Sequence, residues 1–132
     1  MAVYVEPDAE GFEGADLSGL SALFVTNLRG TSFKGATLYW ANLSNADFTG
    51  CNFEEANLAG ATMRETKLVD ACLRNAFLGL DNLGGPTRLQ GADLTGAILD
   101  GAKLSGAEYD SSTKFPSGFS PTRAGMVAAD ET

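Results

Sequence analysis

The chain has 132 residues, enough for one domain, with ordinary apolar content and sixteen glycines against four prolines, a composition that argues against global disorder and for many tight turns. Nine Lys and Arg against seventeen Asp and Glu give a net charge of −8, which argues against nucleic acid or an anionic membrane surface as a direct partner and leaves room for a basic protein. There is no histidine, and the two cysteines are Cys51 and Cys72, so the commonest general base, the commonest metal ligand, a disulfide framework and a cysteine zinc site all drop out, and no cofactor is expected.

Residues 1–9 carry neither the basic stretch nor the long apolar core of a signal peptide, and no apolar run approaches the ~20 residues that span a bilayer. The expectation is a cytoplasmic protein, with a mature lumenal or exported form left open. Val3, Tyr4 and Val5 are placed to cap whatever follows.

From Glu10 the sequence repeats every five residues, as in ANLSN, ADFTG, CNFEE, ANLAG and ATMRE between Ala41 and Glu65. Taking the large apolar residue as the centre of each unit, twenty units run from Phe12 to Tyr109, with fourteen centres Leu, four Phe, one Met63 and one Tyr109. Two residues before the centre, twelve of the twenty are Ala, six are Ser, Thr or Cys, and only Glu10 and Asp81 depart from the small-residue rule. Two residues after it, eleven of twenty are Gly, as suits a corner that needs φ > 0. A period of five fits neither a helix nor a simple strand. It fits a chain that turns a corner at every unit, with the centre and the small residue inward, so that four units close a square coil.

This pattern resembles the pentapeptide-repeat family, with its motif A(D/N)LXX, over about Glu10 to Ser111. The resemblance implies an all-β fold, a right-handed quadrilateral β-helix of about five coils. At strand spacing the rod would be roughly 24 Å long.

The period slips near Leu20 and near Pro86. Treating each slip as a one-residue bulge sorts the later centres into ladders in which Leu83 follows Met63, Leu89 follows Leu68, Leu94 follows Leu73 and Leu99 follows Leu78. The segment Gly84, Gly85, Pro86 with Arg88 is either a candidate recognition loop or a tolerated bulge. After Tyr109 the repeat stops, and residues 112–121 read as a C-terminal cap in which Phe115 and Phe119 plug the last coil while Pro116 and Pro121 stop another strand from adding. The TKFP…GF tail is similar to pentapeptide proteins of cyanobacteria and chloroplasts. Residues 122–132 read as a disordered tail.

Function on such a rod belongs to its outer faces. One side carries Glu13, Lys34, Glu54, Arg74 and Thr95, which reads as a solvated ladder of alternating charge. Another carries Tyr39, Trp40, Phe77, Leu80 and Ile98, an apolar patch of the kind that marks a contact site, unless the side chains merely cover neighbouring Gly60 and Ala59. A catalytic constellation is missing: no triad forms without His, and a convex rod offers little concavity. The expected function is a non-enzymatic scaffold or regulator that binds a protein partner, or a second copy, through this face. The alternative is a DNA-mimic inhibitor or protector of gyrase, a type II topoisomerase. That role requires a dense acidic stripe, and no side carries one. Ice binding would need one flat threonine ladder, and the outward threonines fall on four different sides.

Overall fold

The computed structural model describes residues 11–21 and 28–129. The expected cap around Val3, Tyr4 and Val5, the repeat positions Glu10, Leu23 and Thr26, and the last three residues lie outside them.

Each unit is a short extended stretch followed by a turn. The turn closes when the N–H of the small residue donates to the preceding centre's carbonyl, as from Ala36 to Phe33 at 2.9 Å and from Ala41 to Leu38 at 3.0 Å. Its third residue has positive φ, as at Gly35 (68°) and Gly60 (70°), the defining feature of a type II turn. The extended stretch bonds to the coils on either side. The Leu38 N–H reaches the Asn57 carbonyl at 2.7 Å, and the Asn57 N–H reaches back to Ala36 at 2.9 Å.

One N–H per unit, that of the residue just after the centre, points away from these ladders. Where the residue just before the centre is Asp or Asn, its side chain accepts it: Asp47 Oδ1 takes the Thr49 N–H at 3.0 Å, Asn52 Oδ1 that of Glu54 at 2.9 Å, Asn57 Oδ1 that of Ala59 at 3.0 Å, and Asp93 Oδ1 that of Thr95 at 3.0 Å. The repeat's preference for Asp or Asn therefore has a local cause, since a short side-chain oxygen is what reaches two residues along the chain.

The centres fill the interior. Phe33 stacks on Phe12 and Phe53 at centroid distances of 5.3 and 4.9 Å, and Phe48 meets Phe33 and Phe53 edge-on at 5.6 and 5.2 Å. Four polar residues at the small inward position share one arrangement. Cys51, Thr66, Thr87 and Thr113 donate to the carbonyls of Leu28, Leu43, Leu58 and Leu89, at 2.8, 3.1, 2.9 and 2.9 Å. Each of these carbonyls already accepts one turn bond and has a second lone pair to offer. A small side chain with one donor reaches that lone pair, and elsewhere the position is mostly filled by Ala. Burial pushes the Cys51 thiol up to about 11. Both cysteines are free thiols.

Parallel bridges fix the stacking. Ser32 pairs with Asn52, Asn52 with Cys72, Thr37 with Asn57 and Asn57 with Phe77, a coil of 20 residues. In the first coil Asp16 pairs with Thr37 and Ser21 with Asn42, one residue longer, so the early slip lies beyond Ser21. Leu20, whose carbonyl accepts the Asn42 N–H, is thus in line with Ala41 where Ser21 was expected.

The second slip corrects the expected ladders. Thr62 pairs with Arg88, Lys67 with Asp93, Cys72 with Ile98 and Phe77 with Lys103, each 26 residues on. The chain leaves the rod after Leu80 and rejoins it at Thr87, so the break is an excursion of six residues, Asp81–Pro86, instead of a one-residue bulge. The true ladders run Leu43, Met63, Leu89, Tyr109; Phe48, Leu68, Leu94, Phe115; Phe33, Phe53, Leu73, Leu99; and Leu38, Leu58, Leu78, Leu104. Leu83 is not a centre but stands 83% exposed. The alternating-charge side ends on Asp100, not Thr95, and Lys34 Nζ lies 3.7 Å from Glu54 Oε1.

At the far end Phe115 packs between Tyr109 and Phe119, at 5.6 and 5.2 Å. The expected disordered tail from residue 122 is instead ordered through residue 129. Strand β1 (Glu108–Tyr109) pairs in parallel with β2 (Val127–Ala128), and Met126 is buried. A further rung therefore adds beyond Pro121. The Val127 and Ala129 N–H groups bond to the Ala107 and Tyr109 carbonyls, and neither residue is the proline that would prevent it.

Candidate functional site

Among the described residues, corners with positive φ are mostly glycine, but six are not: Trp40, Asn45, Glu55, Glu65, Asp70 and Asn75. Asn and Asp tolerate this region, whereas a bulky ring there is a genuine outlier. Trp40, at φ 62°, is the outlier of the rod. A large corner side chain lies across the glycine one coil further on. A Cβ added to Gly60 would sit 2.7 Å from Trp40 Cδ1, and one added to Gly106 would sit 2.7 Å from Leu80 Cδ2. The aromatic side thus does cover glycine, yet Trp40 remains 51% and Leu80 45% exposed.

The six-residue excursion folds back onto this aromatic corner. Trp40 Nε1 donates to Asp81 Oδ2 at 2.7 Å. The Tyr39 hydroxyl donates to Asn82 Oδ1 at 2.6 Å and accepts the Asn82 N–H at 2.8 Å. The two rings lie 4.4 Å apart. Asp81 organises the loop as well: its Oδ1 accepts the Leu83 and Gly85 N–H groups at 2.8 and 2.7 Å. The Gly85 N–H, then the Trp40 indole, hold its carboxyl below the usual carboxylate range. Thr87 closes the base by donating to the Gly79 and Leu58 carbonyls at 3.0 and 2.9 Å. Gly84 has a φ of 85°, which a two-glycine tip supplies without strain.

The two candidate regions read from the sequence are therefore one region. Tyr39, Trp40, Phe77 and Leu80 share a side with the loop Gly84, Gly85, Pro86. Ile98 does not belong to them, since the 26-residue register places it beside Cys72 on the adjacent side. Arg88 is back in the rod, paired with Thr62 and with its Nε 3.6 Å from Glu108 Oε1, so it is no part of the loop tip. Sequence reasoning missed Asp81, Asn82 and Leu83. The signal was Asp81 itself, a carboxylate at a position the repeat reserves for small inward residues.

Among the described residues no group of His, Cys, Asp and Glu is arranged to hold a metal ion, and no helix is long and apolar enough to cross a membrane.

Comparison with known proteins places the repeat. The family described as Pentapeptide repeats matches in eight copies over residues 26–50, 41–79 and 87–108. A pentapeptide repeat protein from Nostoc PCC 7120 is 32% identical, over 91% of this chain and 85% of that one, with a TM-score of 0.42. HetL, a pentapeptide repeat protein of the same cyanobacterium involved in heterocyst differentiation regulation, is 29% identical over 74% of this chain and 50% of that one, with a TM-score of 0.33. A pentapeptide repeat protein from the Arabidopsis thaliana thylakoid lumen is 27% identical over 76% of this chain and 66% of that one, with a TM-score of 0.26. No curated protein sequence matches. With its five-residue units, Asp/Asn-capped turns and four-sided coils, the chain belongs to the pentapeptide-repeat family and its fold is the right-handed quadrilateral β-helix.

Proposed function

We propose that this protein is a non-enzymatic interaction scaffold that binds a protein partner through the Tyr39–Trp40 corner and the loop folded against it. The observation that carries this reading is Trp40, a half-exposed indole held at φ 62° where the repeat favours glycine. Residues in the left-handed region cost on the order of 1–3 kcal/mol and cluster where structure serves recognition. Both rings are pinned by the loop, so little side-chain freedom remains to be lost on binding. Leu80 and Leu83, next in the chain to the Asp81 and Asn82 that hold the rings, are 45% and 83% exposed, which adds apolar surface to the aromatic anchor. The alternating charges of Lys34 and Glu54 and the Arg29–Asp47 and Arg88–Glu108 pairs at 3.7 and 3.6 Å favour a protein contact over mimicry of a uniformly anionic duplex.

The test is Trp40→Gly. Glycine suits the corner, so the variant should keep its thermal stability to within about 1 kcal/mol, as relief of strain offsets lost contacts. Partners recovered by crosslinking or pull-down with the parent protein as bait should be lost with the variant. Undiminished recovery by a folded Trp40→Gly protein would reject this face.

A further inference from the structure

Beyond the aromatic pair, the same side carries a shallow apolar cavity of about 400 Å³, with Phe77, Gly79, Leu80, Lys103, Ser105 and Ala124 among its lining. Phe77 and Leu80 are partly exposed around it, so two large apolar side chains face an unfilled concavity. Lys103 follows Phe77 directly in the ladder and is the only charged residue of the lining. Arg123 is exposed on the turn beside Ala124. No carboxylate lines the cavity. In a chain of net charge −8 this is a local reversal of sign. Asp81 follows Leu80 in the chain, but its carboxylate is engaged by the Trp40 indole and the Leu83 and Gly85 N–H groups, which leaves Lys103 as the charge that the lining itself presents to an approaching group.

We infer that this cavity seats a large apolar side chain of the partner protein with an Asp or Glu side chain beside it. The inference rests on the proposed scaffold role and adds the chemistry of the partner. The apolar group fills the space between Phe77 and Leu80, and the carboxylate meets the Lys103 ammonium at the rim. The flanking Trp40 corner supplies the rest of the contact.

Three fragments of one shape separate charge from shape: 3-phenylpropanoate, 3-phenylpropanamide and 3-phenylpropylamine, titrated at millimolar concentration into ¹⁵N-labelled protein. The carboxylate should shift the amides of Gly79, Leu80, Lys103 and Ser105 in a saturable way, and about two- to fivefold more tightly than the amide, as expected for an exposed ion pair. The amine should bind weakest. Lys103→Glu should reverse the order of acid and amine. Equal binding of all three, no saturable shift, or an unchanged order in Lys103→Glu would each overturn the inference. So would a Lys103-dependent rise in solution mass with protein concentration, because the occupant would then be a second copy. Trp40→Gly should leave the fragment shifts intact, so loss of the Trp40-dependent complex and loss of fragment selectivity are separate failures.

Discussion

At the scale of single residues, two side-chain hydrogen bonds explain the polar residues that recur within the repeat. Where Asp or Asn precedes the centre, as at Asp47, Asn52, Asn57 and Asp93, its side chain takes the one backbone N–H that the coil ladders leave over. The Thr or Cys at the small inward position uses the second lone pair of a turn carbonyl. Asn52→Leu should therefore cost about 1 kcal/mol, the net worth of a typical hydrogen bond, measurable by urea unfolding. The carboxylates have a pH signature. The Thr49 hydroxyl and N–H lower the pKa of Asp47, and the Thr95 hydroxyl lowers that of Asp93, in both cases against some desolvation. A carboxyl whose folded pKa is depressed binds protons less readily in the native state than in the unfolded one. Its contribution is complete above the unfolded value and lost as pH falls through the folded one. Stability should hold from neutral pH down to about 4 and then decline, and the decline should be shallower in Asp47→Asn. Cys51, buried, bonded to Leu28 and raised to about 11, should resist alkylation at neutral pH until the rod unfolds, because the thiolate is the reactive form. Mass spectrometry after maleimide treatment would show this.

At the scale of elements, the excursion Asp81–Pro86 decides what the sequence could and could not reveal. The coil, its corners and its inward centres were legible, because each is a local requirement repeated many times: a small residue that lets the backbone close, an apolar centre, a turn residue at positive φ. The Tyr39–Trp40 side was legible too, because aromatic residues at outward positions stand out against a regular pattern. The size of the excursion was not. Leu83 falls on the five-residue period by coincidence, so counting alone takes it for a centre and shifts every later ladder by one side, which is how Ile98 came to be grouped with Trp40. Distinguishing one extra residue from six requires knowing which hydroxyl closes the loop, and that information resides in contacts between Thr87 and the Leu58 and Gly79 carbonyls. Excision of residues 81–86 should let Thr87 follow Leu80 as Ala61 follows Gly60. The shortened rod should fold with a circular dichroism spectrum close to that of the parent, while the near-ultraviolet signal of Trp40 changes as its Asp81 partner disappears. A shortened chain that fails to fold would mean that the excursion supports the coils instead of decorating them.

For the whole molecule, each coil touches only its neighbours, so stability is shared between adjacent rungs and the ends are the weak points. The rung formed by β2 protects the last full coil by covering the Ala107 and Tyr109 carbonyls. Truncation after Pro121 should uncover that edge. Hydrogen exchange should then quicken first at residues 107–115 and only later at Leu58 and Leu78, with a melting temperature lower by several degrees. Uniform acceleration along the rod would indicate one cooperative unit.

The excursion also has a practical consequence. The coils on either side of it stack through the same parallel bridges as elsewhere, Thr62 to Arg88 and Phe77 to Lys103, although six more residues separate them in the chain. The pitch of the rod is thus indifferent to how much polypeptide leaves at that corner, provided that Thr87 remains to close the exit. Foreign peptides grafted between Leu80 and Thr87 would be displayed from a rigid stem at a known angle, which makes the corner a ready-made attachment point for building designed binders on this rod.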